Sequence, residues 1–155
     1  MTQKITFKPV GVIHTPFKPG DNVPIQPSRG RDIEGRIAIY PEFVPALKDL
    51  EMFSHVYLIT YLHHSKSFKL QTIPYHDTAV RGLFSTRSPH RPNPIGLSIV
   101  RVKSVEDNII YIQDIDLMDG TPLLDIKPYI RRFDDHEDVR CGWLDRIEIR
   151  SEIAD

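Results

Sequence analysis

Leu97-Ser98-Ile99-Val100-Arg101-Val102-Lys103-Ser104-Val105-Glu106-Asp107-Asn108-Ile109-Ile110-Tyr111-Ile112-Gln113-Asp114-Ile115-Asp116-Leu117 is the stretch that decides the fold class. Two runs rich in β-branched residues, 97–105 and 109–117, flank the turn Glu106-Asp107-Asn108. β-Branched side chains fit a pleated surface, and Asp and Asn accept the backbone conformations of tight turns. The pattern predicts an antiparallel hairpin. Working outward, residues 53–62 form an aromatic and β-branched run expected to be a buried strand, and residues 35–40 alternate as a strand does. Residues 8–16 read as a short strand with a proline at each edge. Residues 80–86, 123–126 and 144–149 are expected to add three more strands, and 65–77 a loop. A helix is expected over residues 42–52, where Phe43, Leu47 and Leu50 share a face and Pro45 sits in the first turn. No βαβ alternation is present. The expected fold is therefore mainly β: a single small antiparallel β-barrel with one or two short helices, not a Rossmann fold.

The chain of 155 residues suits one domain over residues 1–155, with 40% hydrophobic and 26% charged residues, as in ordinary globular proteins. No signal-peptide core or membrane-length apolar run occurs, and the single cysteine, Cys141, excludes an internal disulfide. These features point to the reducing cytoplasm. The net charge of −1 and the pI near 6.7 give no global argument for nucleic-acid binding. The distribution is uneven, however. Residues 79–105 hold Arg81, Arg87, Arg91, Arg101 and Lys103 without an acid, whereas Asp134-Asp135-His136-Glu137-Asp138 is nearly all acidic. A local basic face is compatible with this pattern.

The segment leading into the hairpin is Arg87-Ser88-Pro89-His90-Arg91-Pro92-Asn93-Pro94-Ile95-Gly96. Its prolines fix φ and remove donors, and the residues before them are pushed to extended geometry. A stiff loop results, presenting Arg87, His90, Arg91 and Asn93. Rigid polar loops bind ligands at low entropic cost; the competing reading is a solvated connector. Residues 17–32, rich in Pro, Gly, Asn, Arg and Asp, are expected to be either a second long loop of the kind used as lids or binding loops or a disordered segment.

Several chemistries are excluded. No HExxH or CxxC spacing exists, and adjacent His63 and His64 would point apart on a strand, so no metal is expected. GxSxG and phosphate-binding glycine patterns are missing too. What remains is residues 116–129, where Asp116, Asp119 and Asp125 sit among apolar residues, which costs energy unless each has a partner or a role. A purely structural account would have Asp119 and Thr121 cap a turn and Asp125 pair with Lys127.

At these motifs the chain resembles the TrmO-like family of S-adenosylmethionine-dependent methyltransferases, which methylate N6 of N6-threonylcarbamoyladenosine beside the tRNA anticodon. The resemblance runs through residues 11–18, 24–27, 50–55, 84–98 and 116–129. It implies a β-barrel homodimer with the cofactor near the subunit interface, a tRNA substrate, and a short form without the C-terminal domain of longer bacterial members. It implies cofactor contacts at Gln26, Pro27, Ser28, His63, His64, Arg87, Leu97, Asp116, Leu117, Met118 and Asp119. The attacking nitrogen must lose its proton, and Asp119, Asp125 and His90 are the candidate acceptors, in that order. Asn93-Pro94 is similar to two positions of the Asn/Asp-Pro-Pro-aromatic element of amino methyltransferases. Arg87 or Arg91 would hold a threonyl carboxylate or an anticodon phosphate. Two alternatives stay open: a methyltransferase for another RNA or a small molecule, and a non-catalytic S-adenosylmethionine-binding module.

Overall fold

The computed structural model describes residues 2–20 and 32–147. It divides into two compact units, Met1–His64 with Pro94–Tyr129, and Ser65–Asn93 with Ile130–Asp155.

The first unit is a closed barrel of six strands. These are β1 (Gly11–His14), β2 (Glu34–Ile39), β3 (His55–Tyr61), β6 (Ile95–Glu106), β7 (Ile109–Gln113) and β8 (Thr121–Pro128). They close in the order β1-β2-β7-β6-β3-β8, every neighbouring pair antiparallel. The expected hairpin is β6–β7, and Asp107 takes φ 53° at its turn, a conformation Asp tolerates. Alternate residues point inward, so the core consists of Ile13, Ile37, Ile39, Val56, Leu58, Val100, Ile110, Ile112, Ile115, Leu117 and Leu123. Burying so many large aliphatic side chains at about 1.5–3 kcal/mol each is what holds the barrel closed. The run 53–62 is expected to be a buried strand, and β3 is buried along its inner side, where Val56, Leu58 and Thr60 face in, while Tyr61 is exposed. A barrel strand needs only an apolar inside, which explains the difference.

The expected helix over 42–52 is instead two short 3₁₀ helices, Pro41–Leu47 and Leu50–Met52. Pro45 has no amide to give an α-helical turn, and Asp49 at φ 68° breaks the chain between the two pieces. Phe43, Leu47 and Leu50 still pack against the barrel core, so the apolar face was read correctly and its backbone was not.

In the second unit, the loop expected over 65–77 contains a two-residue strand, β4 (Gln71–Thr72), which pairs with β5 (Arg81–Gly82). The strand expected over 80–86 is this short β5 followed by a 3₁₀ turn, Leu83–Ser85, in which Leu83 is the buried anchor. The acidic run begins at the end of a one-turn helix, α1 (Arg131–Asp134). The last expected strand is a 3₁₀ helix, Gly142–Arg146, with residues 148–149 outside the described residues. Trp143 packs as an anchor there: its Nε1 donates to the Ser85 carbonyl at 2.8 Å, and Arg81 lies 5.9 Å from its ring centre.

Candidate functional site

On the barrel, the acidic segment is tied to the first strand. The amide of Gly120 donates to the Ile13 carbonyl at 2.8 Å, and the Asp119 amide to the Phe17 carbonyl at 2.7 Å. Thr15 Oγ1 donates to the Leu117 carbonyl at 2.8 Å, and Thr121 Oγ1 to the Met118 carbonyl at 2.6 Å. Gly120 adopts φ 82°, a turn conformation that glycine takes without strain. The loop leaving β7 is thus held at both its backbone and its side chains.

Asp119 is the electrostatic centre of this arrangement. Lys18 Nζ donates to Asp119 Oδ2 at 2.6 Å, the Thr15 amide donates to Oδ1 at 3.1 Å, and His14 Nδ1 lies 3.3 Å from Oδ1. The Lys18 ammonium, followed by the Thr15 amide and His14, holds the Asp119 carboxyl down at about 2. At neutral pH the group is an anion poised to accept hydrogen bonds. Residues His14, Thr15, Lys18, Arg36, Tyr111 and Asp119 line a polar cleft of about 370 Å³.

Asp116 accepts a 2.9 Å hydrogen bond from Ser98 Oγ, a buried side chain on β6. Leu97, one residue earlier, points to the opposite face of that strand and is 59% exposed. The Leu117 side chain lies in the barrel core, so what it offers a ligand is backbone. Asp125 pairs with Lys127 at 3.2 Å, as the structural account of the motif supposes, and lines a separate, largely apolar cleft with Phe43, Leu47, Leu50 and Phe53. His63 and His64 do not point apart. They lie in a turn after β3 rather than on a strand, their ring centres 3.9 Å apart at a tilt of 41°. A Cβ on Gly120 would stand 3.9 Å from His63 Nε2, so this histidine borders the acidic loop.

The second unit carries Arg87, His90, Arg91 and Asn93. Arg87 is exposed, and so is Asn93. His90 Nδ1 sits 3.4 Å from Ser65 Oγ. Arg91 is committed to the loop itself: its Nη1 donates to the Thr86 carbonyl at 2.9 Å and to the Ser88 carbonyl at 3.1 Å, and its guanidinium lies 5.9 Å from the Phe84 ring centre. Gln26, Pro27 and Ser28 fall outside the described residues.

Sequence reasoning missed His14, Thr15 and Lys18 as partners of Asp119. They lie in the resembling stretch 11–18, but nothing in their spacing announces a contact across a hundred residues. No helix among the described residues is long and apolar enough to cross a membrane.

A closed antiparallel barrel with an anionic loop stitched to its first strand defines a class of small β-barrel proteins, with no Rossmann element among the described residues. Within that class the assignment is specific. The description tRNA-methyltransferase O N-terminal domain matches residues 12–135, and this chain belongs to that family. It is 51% identical to a probable S-adenosyl-L-methionine-binding protein of Pyrococcus abyssi, over 92% of this chain and 77% of that one. It is 40% identical to the human tRNA (adenine(37)-N6)-methyltransferase, over 89% of this chain but only 33% of that protein. The crystal structure of TrmO from Pseudomonas aeruginosa matches with a TM-score of 0.78 at 36% identity, covering 92% of this chain and 64% of that chain.

Proposed function

We propose that this protein is an S-adenosylmethionine-dependent methyltransferase acting on N6 of threonylcarbamoyl-modified adenosine beside the tRNA anticodon, in the cytoplasm and as a homodimer. The observation that carries the reading is the anionic loop 116–119, anchored to residues 13–18 and kept charged by Lys18. When bound, the cofactor supplies an electrophilic methyl group on a positively charged sulfonium. The residues present suit such a ligand. Asp116 and Asp119 offer carboxylates for hydroxyl and ammonium groups, and the loop's fixed backbone offers orientation. His63 borders the same loop, while Gln26, Pro27, Ser28, His64, Leu97 and Arg87 enter on the resemblance.

The Lys18 contact also redistributes the catalytic roles. A carboxylate held at about 2 is a strong hydrogen-bond anchor and a poor proton acceptor at neutral pH, so Asp119 binds rather than takes the proton. Asp125 is paired with Lys127. That leaves the exposed His90 as the base in this reading, with Asn93 accepting from the attacking amine and Arg87 holding the threonyl carboxylate.

The supporting relatives include the human protein named tRNA (adenine(37)-N6)-methyltransferase, of which this chain spans a third. The archaeal relative named only as a probable S-adenosyl-L-methionine-binding protein is compatible with one further reading, methyl transfer to a different RNA or a small molecule. Incubating the purified protein with labelled S-adenosylmethionine and threonylcarbamoylated tRNA, unmodified tRNA or a metabolite panel separates the two. Label in the modified adenosine, identified by nucleoside mass spectrometry and lost from tRNA of a deletion strain, is the expected result. Label elsewhere moves the substrate, and cofactor binding with no transfer to anything leaves a non-catalytic module.

A further inference from the structure

We propose that the outer face of the barrel formed by β1, β2, β7 and the adjoining part of β6 is a docking surface for single-stranded RNA, an inference that rests on the RNA-methyltransferase reading above. The strand register places outward side chains in two adjacent rows. One row runs His14, Arg36, Tyr111, Ser104 across β1, β2, β7 and β6. The next runs Glu34, Gln113, Arg101, His55 across β2, β7, β6 and β3. Lys103, exposed, is the extra residue of a β-bulge where the β6–β7 register shifts between Val102 and Ser104. With strands about 4.8 Å apart, each row is roughly 14 Å long. Stacked nucleotides rise about 3.4 Å each along a strand, so a row of this length passes several phosphates.

Within these two rows the charge is mostly positive, and Glu106 on β6 is the exposed acid of the adjoining row. The cations are Arg36, Arg101 and Lys103, all exposed. Within the two rows the sole acid is Glu34. Asp119, at the edge, is already engaged by Lys18 and His14. A chain with a net charge of −1 therefore presents a local basic surface that its total charge conceals. Two of these cations, Arg101 and Lys103, come from the acid-free stretch 79–105.

The second ingredient is an aromatic. Tyr111 is 40% exposed and pairs directly with Arg36 across the β2–β7 ladder. An exposed ring flanked by guanidinium and ammonium groups is the recurring platform for unpaired bases, whose faces stack while the backbone follows the charges. Duplex RNA hides its base faces and would use only the cations. Arg36 and Tyr111 also line the 370 Å³ cleft that ends at Asp119, so a strand on this surface runs towards the anionic loop on the same unit.

The test is fluorescence anisotropy of a fluorescein-labelled tRNA anticodon stem-loop titrated with the full chain over a series of salt concentrations. Circular dichroism and thermal midpoints establish that each variant is folded. Tyr111→Ala is expected to weaken binding about tenfold at every salt concentration. Arg36→Ala and Lys103→Ala are each expected to lower the salt slope by about 0.7. A folded Arg36→Ala/Tyr111→Ala double variant that binds the RNA as tightly as wild type overturns the surface, even if the protein methylates tRNA. Conversely, binding lost in the variants while the wild-type chain methylates no RNA leaves the surface standing and removes the reaction assigned above.

Discussion

Asp119 makes the clearest case for how one residue's surroundings set its role. Its carboxyl titrates at about 2 in the folded protein against 3.8 ordinarily, chiefly because of the Lys18 ammonium. With the folded value depressed, the native state binds fewer protons than the unfolded state between those two values, so stability rises with pH through that window. The contribution is complete above the unfolded value and lost as pH falls through about 2. The site is open to water, with 24% of the Asp119 side chain exposed, so about 1 kcal/mol is the expected size. Urea unfolding of wild type and Asp119→Asn should differ by that amount at neutral pH and converge in acid; a constant gap across the range would show that the ion pair does not stabilise the fold. Thr60 gives a second prediction. It is fully buried inside the barrel, and its hydroxyl has no hydrogen-bond partner among the described residues. Gly96 opposite leaves no room for more: a Cβ there would collide with Thr60 Oγ1 and come within 2.9 Å of Leu62 Cδ2. Thr60→Val keeps the shape and removes an unsatisfied oxygen, and should raise stability by about 1 kcal/mol. A lower urea midpoint at unchanged m would mean that the hydroxyl is needed.

At the scale of elements, the proline loop owes its stiffness partly to Arg91. Prolines restrict φ, but the fork from Arg91 Nη1 to the Thr86 and Ser88 carbonyls is what closes residues 86–91 into a fixed shape. Arg91→Lys keeps the charge and loses the fork. Trypsin cleavage after Arg87 in the native protein is expected to accelerate about tenfold, corresponding to the roughly 1.4 kcal/mol of a lost pair of charge-assisted bonds. An unchanged rate would return Arg91 to the ligand-binding role that the sequence first suggests. The six barrel strands were legible because inward Ile, Val and Leu recur with period two in β6 and β7, and that signal is local. The 3₁₀ pieces were misread as a helix because Phe43, Leu47 and Leu50 satisfy a helical face whatever the backbone does between them, and the deciding feature, Asp49 at φ 68°, leaves no mark on hydrophobic spacing. β4 and β5 have two residues each, too few to show any period. The partnership of Asp119 with Lys18 was invisible for a different reason: it follows from barrel closure between β1 and β8, which no local pattern encodes.

The whole molecule raises the matter of what covers the outside of β3 and β6. Register places Tyr61 opposite Ile95, Ile59 opposite Leu97, and Tyr57 opposite Ile99, three apolar pairs in succession on the outer face. Tyr61, Ile95, Leu97 and Ile99 are all exposed, and no charge interrupts the stripe until Arg101. Contiguous apolar surface of this kind marks an interaction site more often than a solvated wall. The homodimer proposed above would place a second copy of the chain there. An uncharged face can meet itself about a two-fold axis without bringing like charges together, which is the requirement of an isologous interface. Beside the stripe, Asp125 and Lys127 on β8 carry opposite charges, so a modest rotation about that axis would pair each with its counterpart. Such a dimer would also give Leu97 a role, since its side chain leaves β6 on the face opposite Ser98 and Asp116 and needs a surface to meet. A stable interface of standard size removes about 800 Å² from each partner, with the energy concentrated in a few central apolar residues. Ile99 is the central choice for a test because it lies outside the proposed cofactor set. Sedimentation velocity of the wild-type chain should give a dimer at micromolar concentration, and Ile99→Asp should weaken association at least a hundredfold, as burying an unpaired carboxylate demands. Monomeric wild-type protein at those concentrations would leave the stripe without a second copy, whereas a dimer that persists in a folded Ile99→Asp variant would place the interface elsewhere on the barrel.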